Sequence, residues 1–289
     1  MLERVDRMLM AVRDRAQASW TFANLLGAQA QREFRSTYLN AQCAVLAVGE
    51  TELELCEPVG NGPIQQFISH WGEGLFAAGF CTSRLIELSE RFDRLKLGFV
   101  RDDDRIYLPA TSTAGIPMVI SDRIARPRVG PVNFFYEATN ALQSDWRTVA
   151  ARYAEIFDLD PSRFSPIASK RFGYQGTLTM FDPVRVLDRI ELSQTFADQP
   201  GAMRRFVERR GGDCLNMCYL EAHDFEGLKQ RLLAAGAPLT ARGESLATER
   251  DNIWVHPKGL HGMLLGISRT GFAWDWSGQP QRVPELPGR

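Results

Sequence analysis

Glu52-Leu53-Glu54-Leu55, followed by Pro58, the run Ile64-Gln65-Gln66-Phe67-Ile68 and Gly72, is answered in the second half of the chain. There the text is Arg189-Ile190-Glu191-Leu192, Pro200, Met203-Arg204-Arg205-Phe206-Val207 and Gly211-Gly212. Each copy reads as an alternating strand, a proline, a short helix and a glycine stop. Working outward, Arg7–Val12 reads as a strand, Asp14 as an N-cap, and Trp20, Phe22, Ala23, Leu25 and Leu26 as the apolar positions of a helix ending at Gly27. Strands at Cys43–Val48 and Glu52–Cys56 and the helix Ile64–Trp71 complete a first unit. The order returns as strand Leu75–Cys81, helix Arg84–Leu95 with Leu85, Ile86, Leu88 and Phe92 on one face, and strands Arg105–Pro109 and Pro117–Ile120.

Ser121–Pro131, with Pro127, Gly130, Pro131 and three arginines, reads as a linker. Beyond it the unit recurs twice. Strand Val132–Glu137 leads to helix Asp145–Phe157, strands Tyr174–Phe181 and Arg189–Ser193 and helix Met203–Arg210. Strand Leu215–Leu220 then leads to helix Phe225–Ala235 and strands Asn252–His256 and Gly262–Ile267. Four units in two pairs is the expected organisation.

The composition agrees with two soluble domains. The chain has 289 residues, 44% hydrophobic and 24% charged, with 34 Lys+Arg against 35 Asp+Glu and a formal charge of -1. That balance gives no basic field for nucleic acid and no polybasic anchor for lipid, so a small ligand in a pocket is the expected partner. No secretory signal is read at the N-terminus, and the longest apolar runs fall short of the roughly 18–20 residues that span a bilayer. Five cysteines, three of them in apolar strands, argue against a disulfide framework. A cytoplasmic protein is expected.

These residues resemble the vicinal oxygen chelate superfamily, which includes glyoxalase I, methylmalonyl-CoA epimerase, extradiol and hydroxyphenylpyruvate dioxygenases and bleomycin-binding proteins. The likeness to methylmalonyl-CoA epimerase lies in Glu54-Leu55-Cys56-Glu57-Pro58 through Gly72-Glu73-Gly74-Leu75, and in His256-Pro257-Lys258 before the last strand. It implies an α+β fold of four βαβββ modules, paired into two tandem domains with curved mixed sheets. The domains would be 1–122 and 130–270, with a tail at 271–289.

The resemblance also implies a divalent metal held by four inward-facing His, Glu or Gln side chains. In the N-terminal half those positions fall on Arg7, Glu54, Ala77 and Val119. In the C-terminal half the first falls within Asn133–Ala138, where Glu137 is the one good ligand candidate, and the others fall on Glu191, Met217 or Asn216, and Gly266. Only carboxylates survive, and none of His70, His223, His256 and His261 matches a dioxygenase position. No metal or other cofactor is therefore expected, although a divalent ion on relocated ligands (Glu137, Glu191 and a loop histidine) is an alternative.

Glu54 and Glu191 sit mid-strand between apolar neighbours. They are either solvent-face residues of a one-sided sheet or cleft carboxylates whose burial raises the pKa. Arg7 is either a surface residue or a guanidinium reaching Glu54 and stabilising an oxyanion. Tyr136, Glu137, Tyr174, Trp254 and His256 are the candidate substrate-binding residues, and Trp274 and Trp276 are expected to dock on the body or on a second copy. The combined expectation is a lyase, isomerase or epimerase that abstracts a proton beside a carbonyl, with Glu54, Glu191 and Arg7 catalytic. A protein that sequesters an aromatic or hydrophobic molecule is the alternative, and a homodimer is compatible with either.

Overall fold

The computed structural model describes residues 1–181, 187–199, 201–241, 252–269 and 273–274. The first module comprises β1 (Arg4–Ala11), α1 (Arg15–Leu26), β2 (Gln29–Ser36), β3 (Ala41–Val48), β4 (Thr51–Pro58) and α2 (Pro63–Trp71). The second comprises β5 (Gly74–Thr82), α3 (Leu85–Arg94), β6 (Val100–Asp102), β7 (Arg105–Leu108) and β8 (Met118–Asp122). The third comprises β9 (Val132–Leu142), α4 (Trp146–Phe157), β10 (Ser165–Ser169), β11 (Tyr174–Met180), β12 (Arg189–Thr195) and α5 (Ala202–Arg210). The fourth comprises β13 (Cys214–Ala222), α6 (Phe225–Ala234), β14 (Leu239–Ala241), β15 (Asn252–Val255) and β16 (Leu265–Ser268).

Every module follows one rule. Its last strand lies parallel to its first, as β4 to β1 and β12 to β9, and its remaining strands extend outward antiparallel. The two eight-stranded sheets run β2-β3-β4-β1-β5-β8-β7-β6 and β10-β11-β12-β9-β13-β16-β15-β14. The fold is therefore α+β, with one mixed sheet per half of the chain.

The strands absent from the sequence reading are β2, β6, β10 and β14, and these are the four sheet edges. β2 is largely exposed, β6 and β14 are three residues each, and β10 carries Pro166. An edge strand needs no apolar alternation and tolerates charge and proline, so its periodic signal is weak. Two helix faces also differ from expectation. Trp20 is 69% and Ile86 73% exposed, while Ala18, Phe22, Leu25 and Leu26 of α1 and Leu88 and Phe92 of α3 face inward.

Helix ends form as the local residues dictate. The Asp14 carboxylate accepts from the Gln17 N–H, and Gly27, at φ 69°, closes α1 in the left-handed conformation that favours glycine. The Asp145 carboxylate accepts from Thr148 at the start of α4.

Contacts divide the chain into two compact units. One consists of Met1–Val5, Ala77–Ile124 and Glu137–Asn216, the other of Asp6–Phe76, Ala125–Tyr136 and Met217–Arg289. The first contains Phe92, Phe157 and Tyr153 packed edge to face; the second contains Phe22, Leu53, Leu55 and the apolar side of β16. Cys43, Cys56, Cys81, Cys214 and Cys218 are free thiols. Among the described residues no helix is long and apolar enough to cross a membrane. Trp274 is buried, while Trp276 and the rest of the expected tail apart from 273–274 lie outside the described residues.

Candidate functional site

In the N-terminal half, β1 and β4 pair in parallel with Arg7 opposite Glu52 and Leu9 opposite Glu54. Glu54 is fully buried rather than on a solvent face. The Arg7 guanidinium reaches Glu54 Oε1 at 3.2 Å and Asp6 Oδ2 at 2.6 Å. Arg126, from the segment read as a linker, places Nη1 2.6 Å from Asp6 and Nε 3.2 Å from Glu52. Arg32 holds Glu52 at 2.5 Å from β2. Burial alone would raise Asp6, but Arg7 and Arg126 beside it hold its carboxyl below the usual range. Glu52 is likewise lowered against its burial by Arg32, Arg7 and Arg126. Three guanidinium groups thus balance three carboxylates in a closed network.

In the C-terminal half the same positions carry the opposite arrangement of charge. Glu137 on β9 faces Arg189 on β12, and Thr139 faces Glu191. Arg189 Nε donates to Glu137 Oε2 at 2.7 Å, and Thr139 Oγ1 donates to Glu137 Oε1 at 3.2 Å. The Ser193 hydroxyl donates to Glu191. Burial, the charge of Glu137 and a hydrogen bond with Glu137 raise the Glu191 carboxyl well above the ordinary 4.5. The set therefore places one guanidinium and two buried carboxyl groups together, and the burial and charge that meet at Glu191 favour its protonated form.

The face carrying this set is fixed by its neighbours. Asn140, of opposite parity on β9, donates to the Tyr153 hydroxyl of α4 at 3.2 Å, so α4 covers the other face. Leu178 lies opposite Glu191 and Tyr174 opposite Thr195, so both share the Glu191 face. Tyr174 is buried there, four strand residues along from Glu191 in register.

The other aromatic candidates gather separately. The Tyr136 hydroxyl bonds Ser268 Oγ at 2.9 Å, and its ring lies 6.0 Å from that of Tyr219. Trp254 Nε1 donates to the Tyr219 hydroxyl at 2.7 Å, and Asn252 donates to it at 3.4 Å. Tyr219, unmarked by the sequence reading, lies over Gly266: a Cβ there would stand 2.1 Å from its ring. The structural signal was available in the glycine itself, which opens room beside a cross-strand aromatic. His256 is exposed and bonded to Thr240 Oγ1 at 2.7 Å, and Lys258 is exposed, so neither joins a carboxylate cluster in the described residues. His261 bonds Glu73 at 3.0 Å and Thr21 at 3.1 Å.

These residues do not fit the family's metal. Ala77 and Val119 supply no donor atom, and a guanidinium occupies the Arg7 position between two carboxylates. Glu137 is engaged by Arg189 and Thr139, and the Gly266 position lies beneath the Tyr219 ring. Among the described residues no group of three or more His, Cys, Asp and Glu is placed to hold an ion.

The chain matches no protein-family model and no curated protein. It is similar in structure to a mutant 4-hydroxymandelate synthase from Streptomyces coelicolor, with TM-score 0.70, 14% identity and 92% of each chain covered. It is also similar to a xylose isomerase-like TIM barrel/4-hydroxyphenylpyruvate dioxygenase fusion protein, with TM-score 0.61 and 12% identity, over 92% of this chain and 49% of that one. Methylmalonyl-CoA epimerase from Mycobacterium tuberculosis matches 41% of this chain at 18% identity and TM-score 0.38. The two longer matches each cover 92% of this chain, and the chain accordingly shares their fold, here four βαβββ modules in tandem.

Proposed function

We propose that this protein is a small-molecule enzyme of the lyase or isomerase type, transferring a proton beside a substrate carbonyl on the Glu191 face. The observation that carries the reading is the buried Glu191 side chain, which accepts from Ser193 beside the Arg189–Glu137 pair, where burial and the charge of Glu137 push its carboxyl well above 4.5. A carboxyl so displaced takes up and returns a proton nearer neutrality than an ordinary glutamate does. Ionised Glu191 is the base, and Glu137 is the neighbouring charge that holds its proton affinity up. Arg189 supplies fixed positive charge beside the pair, so an enolate forming there is stabilised without a metal ion. Tyr174 lines the same face and contacts the substrate.

The N-terminal set of Arg7 and Glu54 is assigned a structural role, because its charges balance among Asp6, Glu52, Arg32 and Arg126. A second reading, sequestration of a flat apolar molecule, is favoured by the aromatic group Tyr136, Tyr219 and Trp254. Incubation with a panel of enolisable carbonyl compounds in deuterated water separates the two. Exchange of the α-proton by the wild type, lost in Glu191→Gln, is the expected result. A compound bound and recovered without exchange would favour sequestration.

A further inference from the structure

Helix α5 is the C-terminal counterpart of α2, and the two share their inward side chains: half-buried Phe67 and buried Ile68 answer to half-buried Phe206 and buried Val207. Their outer faces differ in charge. Gln65, Gln66, His70 and Trp71 on α2 stand where α5 has Arg204, Arg205, Arg209 and Arg210. The fold therefore does not require these arginines, since the same module element forms without them. In a chain of net charge -1 such a concentration is local and specific.

The loop between β10 and β11 adds Lys170 and Arg171 to the same place. Gln199 donates to the Lys170 carbonyl at 2.6 Å, and the Phe196 N–H donates to the Gly173 carbonyl at 2.9 Å, which ties this loop to the segment leading into α5. The cations are held rather than loose. Arg209 and Arg210 lie 5.8 and 5.2 Å from the Phe206 ring, and Arg171 lies 5.4 Å from Phe172. Arg204 bonds Glu208 at 2.7 Å and the Ala197 carbonyl. Arg205, Arg209, Lys170 and Arg171 have no carboxylate partner among the described residues. Arg205 and Arg209 are four apart on one helix, where like charges repel unless an anion lies between them.

The position of this cluster relates it to the face already described. Loop and helix meet beyond the Tyr174–Thr195 pair, which ends the β11–β12 ladder. Glu191 lies four residues back along β12, about 13 Å at strand spacing.

We propose that α5 and the 170–171 loop bind the anionic tail of an extended substrate, of the diphosphate class, whose carbonyl end reaches Glu191. The assignment to one substrate rests on the proposed function of Glu191; the anion site itself does not. A cluster confined to one short helix and one loop suits two or three phosphate groups, and the near-neutral whole chain offers no extended field for a polynucleotide.

Calorimetric titration of the full chain with inorganic pyrophosphate and with ADP tests this without turnover. One-to-one binding that weakens with added salt is expected. The triple variant Arg171→Gln, Arg205→Gln, Arg209→Gln should lose about tenfold or more in affinity. Arg147→Gln, an exposed arginine outside the cluster, should bind as the wild type does, and so should Glu191→Gln. Circular dichroism and a melting curve establish that the triple variant is folded, as neutral α2 leads one to expect. Equal affinity in the folded triple variant would overturn the proposal. So would no binding of either probe, or binding of a polynucleotide alone. Retained anion binding together with no proton exchange on any carbonyl compound would instead overturn the proposed function of Glu191 and leave this site standing.

Discussion

At the scale of single residues, the same strand positions solve one electrostatic problem in two ways. Arg7 faces Glu52 in one half, and Glu137 faces Arg189 in the other, with Glu54 and Glu191 at the third position. The N-terminal version adds Asp6, Arg126 and Arg32 and closes. In the C-terminal version burial and the charge of Glu137 raise the Glu191 carboxyl instead. Opposite pH responses follow. Glu191 has a folded pKa above its unfolded value, so its contribution to stability is complete below about pH 4.5 and declines as pH rises through the folded value. Glu191→Gln should flatten this decline in denaturant titrations run from pH 5 to 9. Asp6 and Glu52 are lowered, so their contribution holds above the ordinary carboxylate range and falls away as pH drops through their folded values. Arg7→Ala should cost about 3–5 kcal/mol at neutral pH, because it breaks a buried ion pair to Glu54 and removes one of the two guanidinium groups on Asp6; replacing Arg7 and Glu54 together by apolar residues should cost less than the sum of the two single changes. Glu54 and Glu191 stood out as candidates from their place in the repeated text, and Arg7 from the position that the family resemblance gave it. Asp6 and Arg126 were not, because neither a strand-start aspartate nor a linker arginine differs locally from a solvated charge.

At the scale of elements, strands and helices with a core side were readable and those at the margin were not. β3, β4, β5, β11, β12 and β13 carry apolar residues that must be buried, whereas the edge strand β2 exposes Arg35 and Glu33. Trp20 and Ile86 misled for the converse reason: hydrophobicity alone does not set a helix face, and only spacing places Leu88 with Phe92. Two glycines show how close the packing is. A Cβ at Gly176 would stand 1.7 Å from the Leu192 carbonyl oxygen, so Gly176→Ala should force β11 and β12 apart and lower stability by about 1–3 kcal/mol in a denaturant melt. Gly266→Ala meets the Tyr219 ring rather than backbone; it should displace the ring and change the fluorescence of Trp254, which bonds the Tyr219 hydroxyl.

At the scale of the molecule, the four-module organisation follows from repeated text, but the division into packed units does not. Each sheet is made by one half of the chain. Each compact unit, however, draws segments from both halves. Side-chain packing between modules distant in sequence leaves no local pattern to read. Fragments 1–122 and 130–270 should therefore each fail to show a cooperative melt when expressed alone. Two cooperative melts like that of the intact chain would show that the halves are autonomous. The central claim, that Glu191 is a carboxylic acid poised for proton transfer, is tested most directly by carbon-13 NMR titration of the glutamate carboxyls, with Glu191→Gln identifying the resonance. The account predicts that this signal titrates well above 4.5 and shifts when Glu137 is replaced by Gln. A Glu191 carboxyl that titrates at or below 4.5 would contradict it.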